Sequence, residues 1–238
     1  MPTSNIDPIP LIIKTVNNVK PDSILDIGCG FGKYGYLFRE LLDICEDQKK
    51  VFDNYSIDRR NWRHKIDAVE IFDKYICELQ RYIYSNIFIG NISDLIGKLD
   101  HYDVILMADV IEHFKKKDGL KLLDKLFDKT NKLLIITTPP FDYQQGEFLG
   151  NKFERHESSW KAIDFKKFEN KAIVNVNNNS LCIFLSKSEK KFKAPVLIER
   201  VSVNEKVKLF IYNSFGNNAG DYFVNLTRKI KTKKLLRV

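Results

Sequence analysis

Short apolar runs alternate along the chain with longer segments whose apolar residues recur at helical spacing. Five of these runs are too brief for helices and therefore predict buried strands. Strands that alternate with helices predict an α/β fold with a parallel, doubly wound sheet, whose ligands bind at the carboxyl ends of the strands. The predicted strands cover 24–27, 66–71, 86–92, 102–108 and 133–138, and the predicted helices cover 10–20, 33–45, 72–82 and 118–129, with a brief one capped by Ser93.

The pattern changes after the fifth predicted strand. Ser158 or Ser159 is a candidate cap for a helix that runs to residue 168. Two apolar runs, 172–176 and 181–185, flank a polar Asn-Asn-Asn-Ser turn and predict an antiparallel hairpin. We expect this domain, residues 1–187, to end near Lys187. Residues 188–238 then form an appendage with a second hairpin, over 196–201 and 207–212, and a basic helix.

A glycine-rich turn directly follows the first predicted strand. Gly28, Gly30 and Gly32 let the backbone turn sharply and let a ligand approach without a Cβ in the way. A dinucleotide-binding turn, G-x-G-x-x-G, that began at Gly28 would need a glycine at the position of Lys33. A start at Gly30 would open the helix too late and would leave Asp26 unexplained. The turn therefore predicts a nucleotide-type pocket of another class.

Composition indicates a soluble globular protein. The chain has 238 residues, of which 44% are hydrophobic and 29% are charged. No apolar run approaches the roughly 18 residues of a membrane span, and the first ten residues lack the pattern of a secretory signal. The four cysteines are scattered without a C-x-x-C pair, which argues against a zinc cluster or a disulfide framework. We therefore expect a cytoplasmic protein.

The net charge of +8 is concentrated at the C-terminus. The last eleven residues contain six basic residues and no acidic one. A solvated end is the interpretation we favour, and contact with nucleic acid or lipid is the alternative.

Three segments together resemble one enzyme family. The pattern L-D-x-G-x-G at 25–30 resembles motif I of the class I methyltransferases that use S-adenosylmethionine (SAM), and D-V-I-E-H at 109–113 resembles their motif IV. The pattern E-x-H-x-S-x-W at 154–160 is similar to a loop after strand five in a largely uncharacterised bacterial group of these enzymes. The resemblance covers about residues 22–187. It implies a Rossmann-like sheet with a terminal antiparallel hairpin, and SAM as the cofactor.

The resemblance places SAM at the ends of the predicted strands. It implies that Asp26 orients the amino-acid end of SAM and that Glu70 binds the ribose, since its two oxygens can accept from both hydroxyls. Glu70 lies farther from Gly30 than the usual distance of about 20 residues, which requires an inserted segment. Asn91 or Asp94 would contact the adenine amino group. The implied cofactor-binding residues are Asp26, Gly28, Gly30, Glu70, Ile71, Asn91, Ile92 and Ala108.

Acidic and histidine side chains follow the fourth and fifth predicted strands. Asp109, Glu112 and His113 stand at i, i+3 and i+4, so one helical turn would place them on one face. With His156, they resemble the divalent-metal site of small-RNA 3′-end 2′-O-methyltransferases. The interpretation we favour has no metal, with Glu112 paired locally and His113 in the pocket. His113 or His156 is then the expected base near neutral pH.

These patterns favour methylation of a hydroxyl on a small molecule or glycan precursor. A metal-dependent RNA ribose 2′-O-methyltransferase is the first alternative, favoured by the basic tail, and a non-catalytic SAM-binding partner subunit is the second. The sequence T-P-P-F at 138–141 imitates the [DNS]-P-P-[YF] motif of DNA amino-methyltransferases. It follows the fifth predicted strand instead of the fourth, so we exclude that class.

Two aromatic sets have an ambiguous role in the sequence. The basic-aromatic segment at 59–63 is a surface loop by default, although it could bind phosphates or acidic sugars. Walls of the acceptor site and core or lid packing are equally good explanations for Phe141, Tyr143, Phe148 and Trp160.

Overall fold

In the computed structural model of the protein, the described residues are 3–45, 58–142, 144–148 and 150–195. None of the helices in these ranges has the length and apolar character that crossing a membrane would require. The strands are β1 (Ser23–Ile27), β2 (Lys65–Glu70), β3 (Ile87–Ile89), β4 (Tyr102–Ala108), β5 (Thr130–Thr138), β6 (Lys171–Val176) and β7 (Ser180–Ser186). The α-helices are α1 (Ile9–Val19), α2 (Lys33–Arg39), α3 (Glu78–Ile83), α4 (Ile92–Leu95) and α5 (Lys116–Lys129).

The strands form one seven-stranded sheet in the order β3-β2-β1-β4-β5-β7-β6. β1 to β5 pair in parallel, and β7 pairs antiparallel with both β5 and β6. The predicted α/β sheet and its terminal hairpin are therefore confirmed. The chain builds the sheet outward from β1 to β3 and then returns to β4 on the other side of β1. The carboxyl ends of β1 and β4 consequently flank a topological switch point, where this class of sheet binds ligands.

The sheet separates two apolar cores. Successive side chains of a strand point to opposite faces. Leu25 and Ile27 of β1 accordingly belong to the core that contains Leu123 of α5. Ile24 belongs to the core on the other face, with Ile12 of α1. Burial of both faces holds the parallel strands rigidly, so the loops at their carboxyl ends occupy fixed positions.

Two predicted helices differ in the structure. The helix after β2 begins at Glu78, and residues 73–75 form only a 3₁₀ turn. The Phe72 N–H donates to Glu70 Oε1 (2.9 Å) and keeps this segment extended. The helix expected to run to residue 168 is wrong, since only Ala162–Phe165 is helical, as a 3₁₀ turn. The Ser158 hydroxyl donates to the Phe114 carbonyl (2.7 Å) instead of capping a helix.

The helix predicted over 33–45 is α-helical only as far as Arg39, where α2 ends, and the chain then forms a π-helical turn, Glu40–Ile44. Arg39 at this junction is 2% exposed. Its guanidinium contacts Asp43 (2.5 Å) and the Ile83 carbonyl (3.0 Å). The predicted apolar helix therefore contains a buried ion pair, and Arg39 of this pair also ties the end of α2 to Ile83, the last residue of α3.

The basic-aromatic segment that begins at Arg59 has structural contacts. Arg59 donates to the Arg81 carbonyl within α3 (2.8 Å) and to the Tyr84 carbonyl directly after α3 (2.9 Å). Arg60 pairs with Asp58, and the Arg39 guanidinium lies 4.4 Å from the centroid of the Trp62 ring. The segment therefore packs against α2 and the end of α3.

The compact unit that contains the sheet spans Met1–Pro195. Beyond β7, the Asn170 side chain donates to the Ser188 carbonyl (2.6 Å) and accepts from the Phe192 N–H (2.7 Å). The Phe192 ring centroid lies 5.6 Å from that of Phe184. Residues past Lys187 thus still pack on the sheet, and the predicted boundary there stays a prediction. The predicted second hairpin and basic helix lie outside the described residues.

Candidate active site

A cavity of about 770 Å³ opens at the carboxyl ends of β1, β2 and β4. Its lining comes from the glycine turn, the ends of these strands, and the loop between β5 and β6. Every residue that the sequence analysis proposed for cofactor binding, catalysis or metal binding lines this cavity, with the exception of Asp94. The sheet thus brings together side chains that are up to 130 residues apart in the chain.

The glycine turn forms one wall of the cavity. Gly28 has a φ of +70°, and its N–H donates to the Val69 carbonyl (2.8 Å). A Cβ added to Gly28 would lie 2.4 Å from Val110 Cγ2. The left-handed backbone and the filled space are two independent reasons for glycine at this position.

The Glu70 carboxylate joins β2 to the glycine turn. Its Oε2 accepts from the Gly30 N–H (2.9 Å), across a separation of 40 residues, and its Oε1 accepts from the Phe72 N–H. Burial raises the pKa of Glu70, and these backbone donors lower it. Each oxygen keeps a further lone pair, so Glu70 can still accept from ribose hydroxyls.

Asp26 is buried behind the same turn. Its Oδ2 accepts from the Tyr84 hydroxyl (2.6 Å), whose oxygen accepts from the Gly35 N–H (3.2 Å). Burial raises the pKa of Asp26 to about 6, against the Tyr84 hydrogen bond and together with the nearby Glu70 charge. Two buried carboxyl groups in one cavity favour a cationic ligand, which would stabilise their ionised forms.

The apolar end of the cavity lies beside β2 and α4. The Asn91 Oδ1 accepts from the Ser93 N–H (2.9 Å), so Asn91 caps α4 and the predicted cap, Ser93, is wrong. The Asn91 Oδ1, which would accept from the adenine amino group, therefore already accepts one hydrogen bond. Asp94 is exposed and lies outside the cavity lining, so it cannot replace Asn91. Ile71, Ile92 and Ala108 contribute apolar surface to the lining.

Glu112, His113 and His156, the His–Glu cluster, meet at the opposite end. Their possible metal-ligating atoms lie within 4.8 Å of one another, and the two imidazole centroids are 5.0 Å apart. Glu112 is 2% exposed, and neither carboxyl oxygen makes a hydrogen bond within the described ranges. Burial and the Asp109 charge raise the pKa of Glu112 well above the usual value. The nearby Thr138 hydroxyl lowers this pKa, although it does not form a hydrogen bond with the carboxyl group.

Asp109 lies apart from the His–Glu cluster, so the expectation of a shared face is wrong. Residues 111–113 form a 3₁₀ turn instead of an α-helical one. Asp109 has a φ of +53°. Its carboxylate accepts from the Asn5 N–H (2.7 Å) and from the Thr137 hydroxyl (2.8 Å). These partners turn Asp109 toward the N-terminal segment.

The protonation state of His113 follows from its partner. His113 Nδ1 lies 3.0 Å from the Arg155 carbonyl oxygen. Because a carbonyl only accepts, Nδ1 carries the proton and Nε2 is left as an acceptor. Burial lowers the pKa of His113, with the charge of His156 acting in the same direction. His113 is therefore neutral at neutral pH and able to take a proton.

The aromatic residues for which the sequence left two explanations open do not form a wall of the cavity where the structure describes them. Trp160 is 1% exposed and belongs to the core, and its indole N–H donates to the Ser158 hydroxyl (2.9 Å). Phe141 and Phe148 lie outside the cavity lining as well. Tyr143 lies outside the described residues. Of the two explanations offered for Trp160, core packing is the one that the structure supports.

Several residues that the sequence analysis did not assign to the site also line the cavity, among them Phe31, Tyr75, Asn151, Phe153 and Glu154. The Tyr75 hydroxyl donates to Glu154 Oε1 and accepts from the Asn151 side-chain amide (both 3.1 Å). This contact joins the segment after β2 to the loop after β5. Phe31 and Phe153 line the cavity while 57% and 42% exposed. The resemblance pattern at 154–160 contained Glu154, but local sequence offers no signal for Tyr75.

The N-terminal segment lies against the same cavity. Lys33 Nζ donates to the Ser4 carbonyl (2.5 Å), and the Asn5 N–H reaches Asp109 (2.7 Å). Thr3, Ser4 and Asn5 all contribute to the lining. The start of the described chain is thus part of the site.

A family model described as a methyltransferase domain matches residues 3–173. The chain belongs to this family, and it is a class I SAM-dependent methyltransferase. The predictions of an enzyme of this class and of SAM as its cofactor are therefore confirmed. Membership in the narrower bacterial group stays a prediction.

Three known proteins are similar to the chain at low sequence identity. An uncharacterised protein of Methanocaldococcus jannaschii is 22% identical over 193 residues, which cover 81% of this chain and 72% of that protein. The N-terminal domain of EvdMO1, determined with S-adenosylhomocysteine (SAH) and D-fucose, has a TM-score of 0.51 at 12% identity, over 77% of this chain and 84% of that one. A proposed O-methyltransferase from Nostoc punctiforme has a TM-score of 0.48 at 14% identity, over 76% of this chain. The chain spans only 56% of the Nostoc structure.

Proposed function

We propose that the protein transfers the methyl group of SAM to a hydroxyl group of a small molecule or glycan precursor. One observation carries this proposal: a single cavity holds the glycine turn with Asp26 and Glu70, and also the His–Glu cluster. The glycine turn with Asp26 and Glu70 suits the binding of a cationic nucleoside. The His–Glu cluster suits removal of a proton from an acceptor that lies beside it.

The two buried acids support the placement of SAM. Glu70 would accept from the ribose hydroxyls, and Asp26 would accept from the ammonium group of the amino-acid end. SAM carries both this ammonium and a sulfonium, so it neutralises the carboxyl groups whose pKa values burial has raised. Ile71 and Ile92 would pack on the adenine.

Methyl transfer from SAM is an in-line displacement. The acceptor oxygen forms a bond to the methyl carbon as the carbon–sulfur bond breaks, and SAH leaves with the electron pair. The enzyme positions the two groups and removes the hydroxyl proton. His113 Nε2 is the proposed base, because the Arg155 carbonyl fixes the proton on Nδ1. His156 is the second candidate.

Exposed aromatic rings support a sugar as the acceptor. Phe31 and Phe153 line the cavity with much of their surface open to solvent. Aromatic rings of this kind pack against the apolar face of a sugar ring, whose hydroxyls then point to the sides. The structure of the EvdMO1 domain, a protein of this fold, was determined in the presence of a sugar, D-fucose.

A divalent metal ion at the His–Glu cluster defines a second candidate function, RNA ribose 2′-O-methylation. Buried carboxyl oxygens without hydrogen bonds fit a cation, and two imidazoles with one carboxylate form a known ligand set for divalent transition metals. Glu112, His113 and His156 would hold the ion, which would supply Lewis-acid activation of the acceptor hydroxyl. The basic tail that favoured RNA lies outside the described residues.

Labelled SAM distinguishes these candidates. The protein is incubated with methyl-labelled SAM and a lysate that is then separated into RNA, protein and small-molecule or glycan fractions, with and without EDTA. We expect label in the small-molecule or glycan fraction whether or not EDTA is present. Label in RNA that EDTA abolishes would replace this proposal with the second candidate, and the Gly28→Val variant serves as the control without SAM binding.

SAM affinity should depend on the ionisation of Asp26. The pKa of Asp26 is about 6 in the free protein, and the ammonium of SAM favours the carboxylate. Below pH 6 the neutral acid predominates and must lose its proton before SAM binds, so the affinity should fall by up to about tenfold per pH unit. Above pH 6 the affinity should level off.

Isothermal titration calorimetry with SAM between pH 5 and 7.5 measures this dependence. Asp26→Asn should bind weakly and with little pH dependence in the same range. If the variant kept the full pH dependence of the parent protein, another group would be responsible.

A further inference from the structure

The Tyr34 hydroxyl is a buried polar group that the proposed reaction does not use. Tyr34 is 3% exposed, and its hydroxyl makes no hydrogen bond within the described ranges. Burial raises the pKa of the Tyr34 hydroxyl, the Asp109 charge raises it too, and the Ser4 side chain lowers it. Neither Asp109 nor Ser4 forms a hydrogen bond with this hydroxyl. Tyr34 also lines the cavity. A buried hydroxyl without a partner is unfavourable unless a ligand supplies one.

Lys33 places a cation over the ring of Tyr34. Its Nζ lies 5.3 Å from the centroid of the Tyr34 ring and likewise lines the cavity. The ammonium donates to the Ser4 carbonyl (2.5 Å) and is attracted by the charges of Asp26 and Asp109. An ammonium has three donors, so Lys33 can serve Ser4 and a ligand together.

We propose that Lys33 and Tyr34 bind the carboxylate of the amino-acid end of SAM, while Asp26 binds its ammonium. This end of SAM is a zwitterion and requires an acceptor and donors close to each other. Asp26 supplies the acceptor at the end of β1, and Lys33 and Tyr34 at the start of α2 supply the donors. The inference rests on the proposed placement of SAM in this cavity and is independent of the methyl acceptor.

Decarboxylated SAM, which keeps the amine and the sulfonium, tests this assignment. Its affinity and that of SAM are compared by calorimetry for the full-length protein, Lys33→Met, Tyr34→Phe and an exposed control, Lys121→Met. A charge-assisted hydrogen bond changes affinity by about 10- to 100-fold. We expect the parent and the control to prefer SAM by about this factor, Lys33→Met to lose most of the preference, and Tyr34→Phe to lose part of it.

Two results would overturn the proposal. One is an equal loss of affinity for both ligands in Lys33→Met, which would mean that the lysine only balances Asp26 and Asp109. The other is an unchanged preference for SAM in Tyr34→Phe and Lys33→Met alike. Thermal unfolding identifies a variant that fails to fold, and Lys33→Arg should then retain the preference for SAM. A wrong placement of SAM is recognised separately, since Gly28→Val would leave SAM affinity intact.

Discussion

Replacing Gly28 by alanine should weaken SAM binding by about 100-fold or more, and replacement by valine should abolish it. The φ of +70° costs an L-residue about 1–2 kcal/mol by itself. The added Cβ would also lie 2.4 Å from Val110 Cγ2. The turn must therefore shift, and the Gly30 N–H then leaves the Glu70 carboxylate, which is the proposed ribose acceptor. Calorimetry with SAM measures the loss.

Gly97→Ala is the matched control for this prediction. An added Cβ at Gly97 meets no atom within 4 Å, so the variant should bind SAM as the parent does. The double variant Gly28→Ala/Val110→Ala removes the contact and keeps the backbone cost, and it should recover part of the affinity. Parent-like SAM binding by Gly28→Ala would show that the glycine turn is not the cofactor site.

Replacing His113 by alanine should lower the rate of methyl transfer by about 10²- to 10⁴-fold, the usual contribution of a general base. The affinity for SAM should stay within about twofold, because the His–Glu cluster lies at the far end of the cavity from Asp26 and Glu70 in the proposed binding mode. His156→Ala should reduce the rate as well, since the two rings lie 5.0 Å apart. Single-turnover transfer of labelled methyl to the identified acceptor measures the effect.

His101→Ala controls for loss of a histidine, because His101 is exposed and should not affect turnover. Glu112→Gln separates a base from a metal site. If His113 is the base, this variant should retain SAM binding and show no change in bound metal. Loss of stoichiometric metal from the purified protein would support the second candidate. Full activity in both His113→Ala and His156→Ala would rule out a catalytic role for the cluster.

The sequence by itself determined the sheet, the cofactor class and part of the set of residues that line the cavity. Short apolar runs and helical spacing are local properties, and burial of both faces of a parallel sheet fixes where each run lies. The glycine turn could also be predicted from the sequence, because a positive φ and a close approach restrict the residue type at Gly28 itself. Because Asp26, Glu70 and His113 lie at or after the ends of predicted parallel strands, the sequence placed them at one edge of the sheet without knowledge of any contact.

Only the tertiary structure decided which side chains act together inside that cavity. The spacing of Asp109 placed it on one face with Glu112 and His113, but its carboxylate turns to Asn5 and Thr137. The sequence left the role of Trp160 open, and the structure packs it in the core. The pairing of Tyr75 with Glu154 spans 79 residues. Such choices depend on the partners available to a buried polar group, and those partners come from distant parts of the chain. A local sequence pattern therefore does not identify these partners.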